Sequence, residues 1–589
     1  MYGFHGQYLR FDLTTGQEEY IPLKESLLRR FLGGVGLGTW LLHQEAPKGV
    51  DPFAPEAPLI FAFSPLVGSP LTTSAKFAVV AKSPLTGMIT DSLSSSHFAI
   101  HGKKLGVDAI VIRGACREPS VLVNQELQPT ELFGELWGKT PQETEQALAS
   151  FGKVASIGVA GENLVRYATL SNDGRHAGRG GLGAVLGAKR LKAVVVTGNQ
   201  RTDLADPDKV LSLAKQLSQR SFGPATAKYR ELGTVANLLT FNRLAALPTR
   251  NFQSGTFAGA SALSAEQLAP IREKARKSCA CCTIGCEHIY GFGEHQSVRL
   301  EYESLFALGP LCGIDDPETV LAASRRCDEL GLDTISAGGT IAFAMECREK
   351  GLLPEGPRFG EAKALLSLLE DIALRRGLGK ILAEGSRRAA WAIGGGSIDF
   401  APQVKGLEIP GYEPRALQTM ALGFAVGTRG ADHNKSGAYE LDFSEEVDRL
   451  HGDNHAARLA LDPENRAALL DSLILCKFLR GVFSDLYAES AEILRAITGW
   501  DVTREELQVT SARIVALKKA FNIREGWTPA DDTLPRRFLS EGLPDGVSRG
   551  ARIPRQRLQG MIREYNLARG WTADGYLTEE VLADLDLPE

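Results

Sequence analysis

The chain has 589 residues, a formal net charge of −5 and acidic and basic residues mixed along its length. This length exceeds what one hydrophobic core usually holds, and the mixed charge excludes a continuous basic face for nucleic acid. With no signal peptide and no apolar stretch of membrane-spanning length evident, we expect a cytoplasmic protein with no membrane partner.

The first third of the chain has the pattern of β-structure. Short apolar and β-branched runs, such as 58–63 and 192–198, are separated by Gly, Pro and Ser. After about residue 205 amphipathic helical stretches dominate, for example 207–221 and 317–349, and a Pro- and Gly-rich segment at 404–415 suggests another boundary. The sequence therefore predicts an α+β fold: a mixed β-sheet domain at 1–205, followed by mainly α-helical domains at 206–415 and 416–589.

A glycine-rich loop at 172–187 carries Arg175 and Arg179 ahead of a predicted helix. Backbone N–H groups and guanidinium forks in such a segment can bind phosphate. No P-loop motif is present. A tight structural turn has the same composition, so the loop by itself leaves both interpretations open.

Nine cysteines, clustered rather than paired, indicate a reducing compartment with metal chemistry rather than a disulfide framework. Cys279, Cys282 and Cys286 form a C-x2-C-x3-C loop, and Cys476 is remote in sequence. One tight loop plus one distant thiolate fits a cubane [4Fe–4S] cluster. Structural zinc is the competing interpretation, but zinc ribbons usually pair two short knuckles. The pattern favours the cluster, and hence electron transfer.

Two hexapeptides of similar form follow helical stretches, at 328–333 and 471–476. The aspartate that begins each could accept hydrogen bonds from a donor-rich ring such as a pterin, but helix capping also explains such segments. Glu303 and His433 are acid–base candidates. A surface carboxylate is the default interpretation of Glu303, and the sequence leaves His433 ambiguous.

Taken in order, these segments resemble the aldehyde:ferredoxin oxidoreductase family of tungsten enzymes. The likeness spans essentially the whole chain, with matching stretches at 31–38, 82–87, 157–163, 178–185, 327–336 and 569–571. In that family two pterin dithiolenes hold one tungsten, and a cubane cluster lies beside one pterin. The resemblance implies a tungsten bis-pterin, with molybdenum the less favoured metal, a [4Fe–4S] cluster and a magnesium ion bridging the pterin phosphates.

The resemblance also implies roles for individual residues. Glu303 would activate water for attack on an aldehyde carbon, and His433 would hydrogen-bond the carbonyl oxygen or move its proton. Cys279, Cys282, Cys286 and Cys476 would hold the cluster. The implied cofactor contacts are Lys76, Leu93, Ser95, Arg175, His176, Gly178, Arg179, Asp328, Leu332, Asp333, Arg429, Lys435, Asp471 and Leu475.

Some positions depart from the family pattern. Lys76 stands where an Arg commonly bridges pterin and cluster, which keeps the charge but loses the bidentate fork. Ile474 replaces a Gly in the second hexapeptide. Ala322 and Arg325 replace a Glu and a His that bind an interfacial iron in some members, so we expect no such iron.

The sequence therefore predicts an enzyme that converts a small aldehyde and water to a carboxylate. Its electrons would leave through the cluster to ferredoxin or to an iron–sulfur or flavin subunit, and the chain would act in a homodimer or a larger assembly. Two alternatives stay open: the catalytic subunit of a tungsten benzoyl-CoA reductase, and a non-catalytic electron-transfer subunit whose pterin site has decayed.

Overall fold

The strands concentrate in the first 196 residues. The computed structural model describes residues 1–587. Its strands are β1 (Gln7–Asp12), β2 (Gln17–Pro22), β3 (Leu59–Ala62), β4 (Lys76–Lys82), β5 (Ile89–Ser95), β6 (Ala109–Arg113), β7 (Ser120–Val123), β8 (Glu126–Pro129), β9 (Lys153–Ser156), β10 (Leu170–Asn172), β11 (Arg175–Ala177), β12 (Leu191–Val196), β13 (Glu273–Lys277), β14 (Glu287–Phe292), β15 (Gln296–Arg299), β16 (Gln403–Val404) and β17 (Leu407–Glu408).

Helices dominate the chain after the second sheet, and the predicted α+β class is confirmed. They are α1 (Glu25–Phe31), α2 (Gly34–Glu45), α3 (His97–Lys103), α4 (Pro141–Leu148), α5 (Val159–Glu162), α6 (Leu182–Ala188), α7 (Pro207–Ser221), α8 (Pro224–Leu232), α9 (Leu238–Arg243), α10 (Ala265–Arg272), α11 (Tyr302–Leu308), α12 (Pro317–Leu330), α13 (Thr334–Glu349), α14 (Ala362–Ala373), α15 (Gly379–Leu382), α16 (Ser386–Ile393), α17 (Gln418–Val426), α18 (His433–Ser436), α19 (Tyr439–Asp442), α20 (Asn454–Leu459), α21 (Leu461–Leu473), α22 (Leu486–Thr498), α23 (Arg504–Arg524), α24 (Arg536–Ser540), α25 (Arg555–Ala568) and α26 (Glu579–Asp584). Across residues 1–587, no helix combines the length and hydrophobicity needed to cross a bilayer.

Two six-stranded mixed sheets form the N-terminal part. The first has the order β2-β1-β6-β3-β4-β5 and the second the order β11-β10-β9-β12-β7-β8. In each sheet a single strand pair is parallel, β1 with β6 and β12 with β7. Apolar side chains of both sheets meet in one core, to which β4 contributes Phe77 and Val79. Side chains alternate along a strand, so the opposite face of β4 must be covered by something else.

Helix α2 covers that opposite face, and helices near the C-terminus pack on α2 in turn. Ala78 and Val80 of β4 belong to a second core with residues of α2, α21 and α22. Both faces of the strand are therefore buried, which explains its nearly continuous apolar sequence. This packing places the end of α21 beside the N-terminal sheet, where the predicted site residues lie.

The helical stretch predicted at 317–349 consists of two helices. α12 begins after Asp316, whose carboxylate accepts the N–H of Thr319 at 3.0 Å, and has Pro317 at its first position. It ends at Gly331, which has a φ of +76°. Asp333 then caps α13 by accepting the N–H of Ile335 at 3.1 Å. The first hexapeptide is thus the junction between two helices.

A three-stranded sheet of order β13-β14-β15 lies within the part predicted to be mainly helical. Its first two strands flank the cysteine loop. A short hairpin, β16 with β17, occupies the start of the Pro- and Gly-rich segment at 404–415. The predicted domain limits at 205 and 415 remain predictions.

Candidate active site

Four cysteines from two distant segments lie around one half-buried lysine, Lys76. Cys279, Cys282 and Cys286 are in the loop between β13 and β14, and Cys476 lies three residues after α21. Burial alone would lower the pKa of Lys76, at the start of β4, but the four nearby sulfurs raise it above its ordinary value. The structure thus brings together the four cysteines that the sequence singled out.

Contacts from the N-terminal part hold the cysteine loop in place. The N–H of Thr73 donates to the carbonyl of Cys281 at 2.7 Å, and its hydroxyl accepts the N–H of Cys476 at 3.1 Å. The hydroxyl of Ser95 donates to Cys279 Sγ at 3.0 Å. Ser95, predicted as a cofactor contact near magnesium, therefore touches a predicted cluster ligand.

The cysteine arrangement fits a multi-iron cluster. Burial and the neighbouring Cys476 raise the pKa of Cys282 to about 11, because thiolates this close repel one another. A cationic iron–sulfur core relieves that repulsion. Within residues 1–587 no three His, Cys, Asp or Glu side chains form a group that could hold a single metal ion.

A buried network of opposite charges lies beside the cysteines. Asp91, on β5, accepts hydrogen bonds from Lys435 and, at 2.9 Å, from Lys518. Lys435 also donates to Asp471 at 2.8 Å. Burial would raise the pKa of Asp91, but Lys435, Lys518 and Arg429 lower it below its ordinary range. This network joins the N-terminal sheet to α18, α21 and α23.

Arg179 connects the glycine-rich loop to three later segments. Its guanidinium donates to the carbonyls of Ala431 at 2.7 Å and Glu408 at 2.5 Å. The same group lies 3.4 Å from Asp333 and 3.5 Å from Asp432. The loop is thus not simply a surface turn, because its arginine is buried among helix termini.

The other end of the glycine-rich loop meets the first hexapeptide. His176 Nε2 lies 3.2 Å from Asp328 Oδ1, although the two groups are not aligned as a hydrogen bond. The Nδ1 atom of His176 is 3.0 Å from the hydroxyl of Thr169. Arg175, predicted to bind phosphate, instead forms an ion pair with Glu287 on β14. In this structure its charge is already matched by a protein carboxylate.

The remaining predicted contacts are three leucines, one glycine and Arg429. Leu332 and Leu475, at corresponding places in the two hexapeptides, are buried, and Leu93 packs against the second core. A Cβ at Gly178 would meet nothing closer than the Cβ of His176 at 3.9 Å, so there is open space at this position. Arg429 donates to Asp432 at 2.5 Å.

The two hexapeptides end helices α12 and α21, and this structural role is compatible with the cofactor contacts predicted for them.

Several buried polar atoms at the site have no partner among the described residues. Arg429 Nε is one of them, and the catalytic candidates supply two more, Glu303 Oε1 and His433 Nδ1. Native proteins rarely leave such groups unpaired, so each of these atoms is available to a ligand or to an ordered water. Cations are also abundant here: Arg179, Arg429 and Lys518 are buried, and Lys76, Lys435 and Lys477 are half-buried. This donor set fits a polyanionic cofactor with phosphate groups.

Glu303 and His433 come together from α11 and α18. Glu303 Oε1 lies 3.7 Å from His433 Nε2. The other carboxylate oxygen, Oε2, accepts the N–H of Gly411 at 3.0 Å, which fixes the carboxyl group. The imidazole stacks on Tyr412 with 4.7 Å between ring centroids. Both side chains are therefore held in place, and each has a polar atom free for a ligand.

Burial shifts the two pKa values in opposite directions. Burial raises the pKa of Glu303 to about 8, although the N–H of Gly411 and Arg179 oppose the shift. Burial lowers the pKa of His433 to about 3, with Asp432 opposing the shift. A carboxyl group that titrates near neutrality can take up and release protons during turnover, while the imidazole stays neutral.

Sequence reasoning missed four contributors to this site. Asp91 lies in a strand with no distinguishing motif, and Lys518 lies in a long helix far from any motif. Tyr412 stood in a segment identified only as a boundary. Asp432, which contacts Arg179 and Arg429, was also not predicted. Its position directly before His433 was the one local signal that could have identified it.

Two family models match the chain. The model described as aldehyde ferredoxin oxidoreductase, N-terminal domain, matches residues 8–198, and the model described as aldehyde ferredoxin oxidoreductase, domains 2 and 3, matches residues 212–587. Together they cover nearly the whole chain.

Similar proteins are also found at full length. A tungsten-containing aldehyde ferredoxin oxidoreductase of Pyrococcus furiosus is 37% identical over 100% of both chains. An aliphatic sulfonate oxidoreductase, WOR-like subunit, of the same organism is 30% identical over 100% of this chain and 98% of the relative. Among solved structures, the active site complex BamBC of benzoyl coenzyme A reductase with 1,5 dienoyl-CoA has a TM-score of 0.84 at 24% identity. It covers 100% of this chain and 97% of that chain. This last likeness concerns the fold.

Proposed function

The chain belongs to the aldehyde ferredoxin oxidoreductase family, and from that premise we propose that it oxidises aldehydes to carboxylates with water. An aldehyde and one water yield a carboxylate, three protons and two electrons. The electrons leave through a [4Fe–4S] cluster to ferredoxin or a partner subunit. The observation that carries the proposal is the pair of half-buried Glu303 and buried His433, with an unpartnered polar atom on each side chain.

The residues that would hold the cofactors surround this pair. Cys279, Cys282, Cys286 and Cys476 would bind the cluster. Arg179, Arg429, Lys435, Asp328, Asp333 and Asp471 would contact the pterins and their phosphates, and a magnesium ion would neutralise phosphate charge. A bound tungsten bis-pterin would supply two-electron chemistry, and the cluster would carry electrons singly.

The chain's own residues would manage protons and orientation. Glu303 in its ionised form would take a proton from the attacking water, since its free Oε1 is the oxygen nearer His433. His433, neutral because of burial, would hydrogen-bond the aldehyde oxygen. The stacked Tyr412 holds the imidazole, and the Gly411 N–H holds the carboxylate.

Anaerobic elemental analysis together with an aldehyde screen tests the proposal. We expect about four irons and one tungsten per chain, and aldehyde-dependent reduction of a viologen dye. Iron without tungsten or molybdenum, after growth with both metals supplied, would instead indicate a non-catalytic electron-transfer subunit. Metal-loaded enzyme that is inactive with aldehydes but turns over benzoyl-CoA would assign the aromatic-ring reductase activity. The unpaired buried groups of the site support the aldehyde oxidase over the decayed subunit.

A further inference from the structure

A basic, exposed strand lies directly before the cysteine loop. β13 has the sequence Glu-Lys-Ala-Arg-Lys, and its residues from Lys274 to Lys277 are all exposed. The strand pairs with β14 on one side. Its other side is an edge of the three-stranded sheet within residues 1–587. Backbone groups and cationic side chains therefore face outward together at this edge.

The positive charge at this edge is only partly neutralised by neighbouring residues. Arg276 pairs with Glu273 at 2.6 Å. Lys274 and Lys277 are in no ion pair within residues 1–587, and neither is Lys228 on α8. The chain as a whole carries a net charge of −5, so this surface has the opposite sign to the molecule. A charge asymmetry of this kind orients an approaching charged partner.

The basic edge is continuous with the surface above the cluster cysteines. Lys277 is two residues from Cys279, and Cys281 in the same loop is exposed. On the other side, Arg276 donates to the carbonyl of Arg230 on α8 at 3.2 Å. Tyr229, the residue before Arg230, stacks on Phe478 with 4.0 Å between the ring centroids. Phe478 is two residues after Cys476. A partner docked on β13 and α8 would therefore lie close to the cluster.

Exposed apolar side chains flank the basic groups. Ile271, at the end of α10, is 74% exposed, and Phe222, before α8, is 58% exposed. The guanidinium of Arg230 lies 5.8 Å from the centre of the Phe222 ring. Arginine and exposed aromatic side chains are enriched at protein interfaces, and basic groups around them select an acidic partner.

We propose that β13 and α8 form the docking surface for a small acidic one-electron carrier protein, which receives electrons from the cluster. The inference rests on the proposed function and adds the surface and the charge of the partner. Each aldehyde oxidised releases two electrons, so two carrier molecules are reduced in turn. Docking is steered by Lys228, Lys274 and Lys277, and is weakened by salt because these groups are exposed.

Protection of the sheet edge is the competing explanation, since exposed lysines commonly prevent edge strands from pairing with other chains. That role explains the lysines of β13. It does not account for Lys228 on a neighbouring helix or for the position of the patch beside the cysteines. The two explanations differ in what charge reversal does to electron transfer.

The test compares two double charge reversals in the holoenzyme. Lys274→Glu with Lys277→Glu alters the proposed surface. Lys363→Glu with Lys380→Glu makes the same change in net charge at exposed positions on α14 and α15. The measured quantity is kcat/KM for a purified acidic ferredoxin, at ionic strengths of about 0.01 M and about 0.5 M. A viologen dye, which needs no docking surface, is the acceptor in a parallel assay.

We expect the β13 variant to lose about tenfold or more in kcat/KM for ferredoxin at low salt, and the difference to shrink at high salt. Viologen reduction stays unchanged or rises, because a dication is not repelled by new carboxylates. The α14/α15 variant keeps its ferredoxin rate within about twofold. Equal losses in both variants, or no loss in either, would overturn the proposal. Self-association of the β13 variant with normal ferredoxin kinetics would assign the lysines to edge protection.

A binding measurement separates this proposal from the proposed function. If the metal-loaded protein oxidises no aldehyde with viologen, the proposed aldehyde activity is refuted and the docking proposal is not. Low-salt titration of the oxidised holoenzyme with ferredoxin still tests docking. Weaker binding by the β13 variant than by the α14/α15 variant supports the surface, and equal binding refutes it.

Discussion

Glu303 owes its proton affinity to its surroundings rather than to a charged neighbour. Its carboxyl group is removed from water, and its one fixed hydrogen bond comes from the backbone N–H of Gly411. The imidazole of His433, 3.7 Å away, loses its proton for the same reason. Burial alone thus places a carboxyl group that titrates near neutrality beside a neutral imidazole, which is the combination that proton transfer to and from water requires.

Replacement of Glu303 by Gln should remove catalysis while leaving the metals bound. The amide has the same shape but cannot take a proton, so kcat should fall by about 10²- to 10⁴-fold. Steady-state aldehyde oxidation with a viologen acceptor measures the rate, and elemental analysis checks the iron and tungsten.

In the wild type, kcat/KM should rise with pH through a midpoint shifted upward from the ordinary carboxylate range toward 8, because the ionised form is the base. In Glu303→Gln that pH dependence should disappear.

Glu301→Gln is the matched control. Glu301 lies two residues earlier, its side chain is 50% exposed, and its carboxylate is 3.7 Å from Arg299. Exposed pairs of this kind contribute little, so activity should stay within about twofold of the wild type. Full activity in Glu303→Gln, or an equal loss in Glu301→Gln, would remove Glu303 from the role of base.

At the scale of the element, the two hexapeptides end their helices in the same way with different residues. Gly331 ends α12 at a φ of +76°, and Ile474 ends α21 at a φ of +65°. Left-handed backbone is costly for a β-branched residue. The Ile474 side chain is fully buried in the second core, and its packing there offsets the strain. The position where the family resemblance predicts a glycine is thus part of the hydrophobic core in this chain.

The backbone at Ile474 predicts an unusual order of stability. Both Ile474→Ala and Ile474→Gly lose buried apolar contacts, but only the glycine relieves the left-handed strain. The glycine variant should therefore be more stable than the alanine variant by about 1 kcal/mol, the reverse of the order within a helix. Thermal unfolding at one fixed scan rate gives the comparison. Gly331→Ala should be destabilising, because its Cβ would also meet the backbone of Gly158 at 3.0 Å. An alanine variant equal to or above the glycine variant would contradict the argument.

Elements with a local signal were predictable, and contacts between distant segments were not. Helix α7 has Pro207 at its first position and an amphipathic pattern, and its predicted limits are confirmed. Strand β13 was missed because its charged residues lack the apolar alternation that marks a strand. Lys518 contacts Asp91 across 427 positions, and no short pattern reports such a pair. The cysteine loop has a local signal in its C-x2-C-x3-C spacing. The roles predicted for Glu303 and His433 instead rest on the family resemblance, which carries long-range information.

At the scale of the whole molecule, the N-terminal sheets contribute to two hydrophobic cores that draw their residues from different parts of the chain. The core between the two sheets is built from residues 9–196 alone. The second core joins the opposite face of the first sheet to α2 and to residues of 469–521. Cys282 and Cys286, two of the predicted cluster ligands, pack against this second core. The C-terminal helices are therefore needed both to cover α2 and to complete the site.

A fragment of residues 1–205 should therefore keep its sheets but lack a fully covered surface. Its inter-sheet core is self-contained, so far-ultraviolet circular dichroism should show β-structure. Helix α2 would stay on β3 and β4, but it would lose α21 and α23, which pack on its other side. Exposed apolar patches of this kind bind hydrophobic dyes and promote association. We expect dye binding and self-association in the fragment, and a decrease in both when residues 454–589 are supplied through a flexible linker. A monomeric fragment that binds no dye and unfolds cooperatively would show that the sheet does not depend on the C-terminal helices.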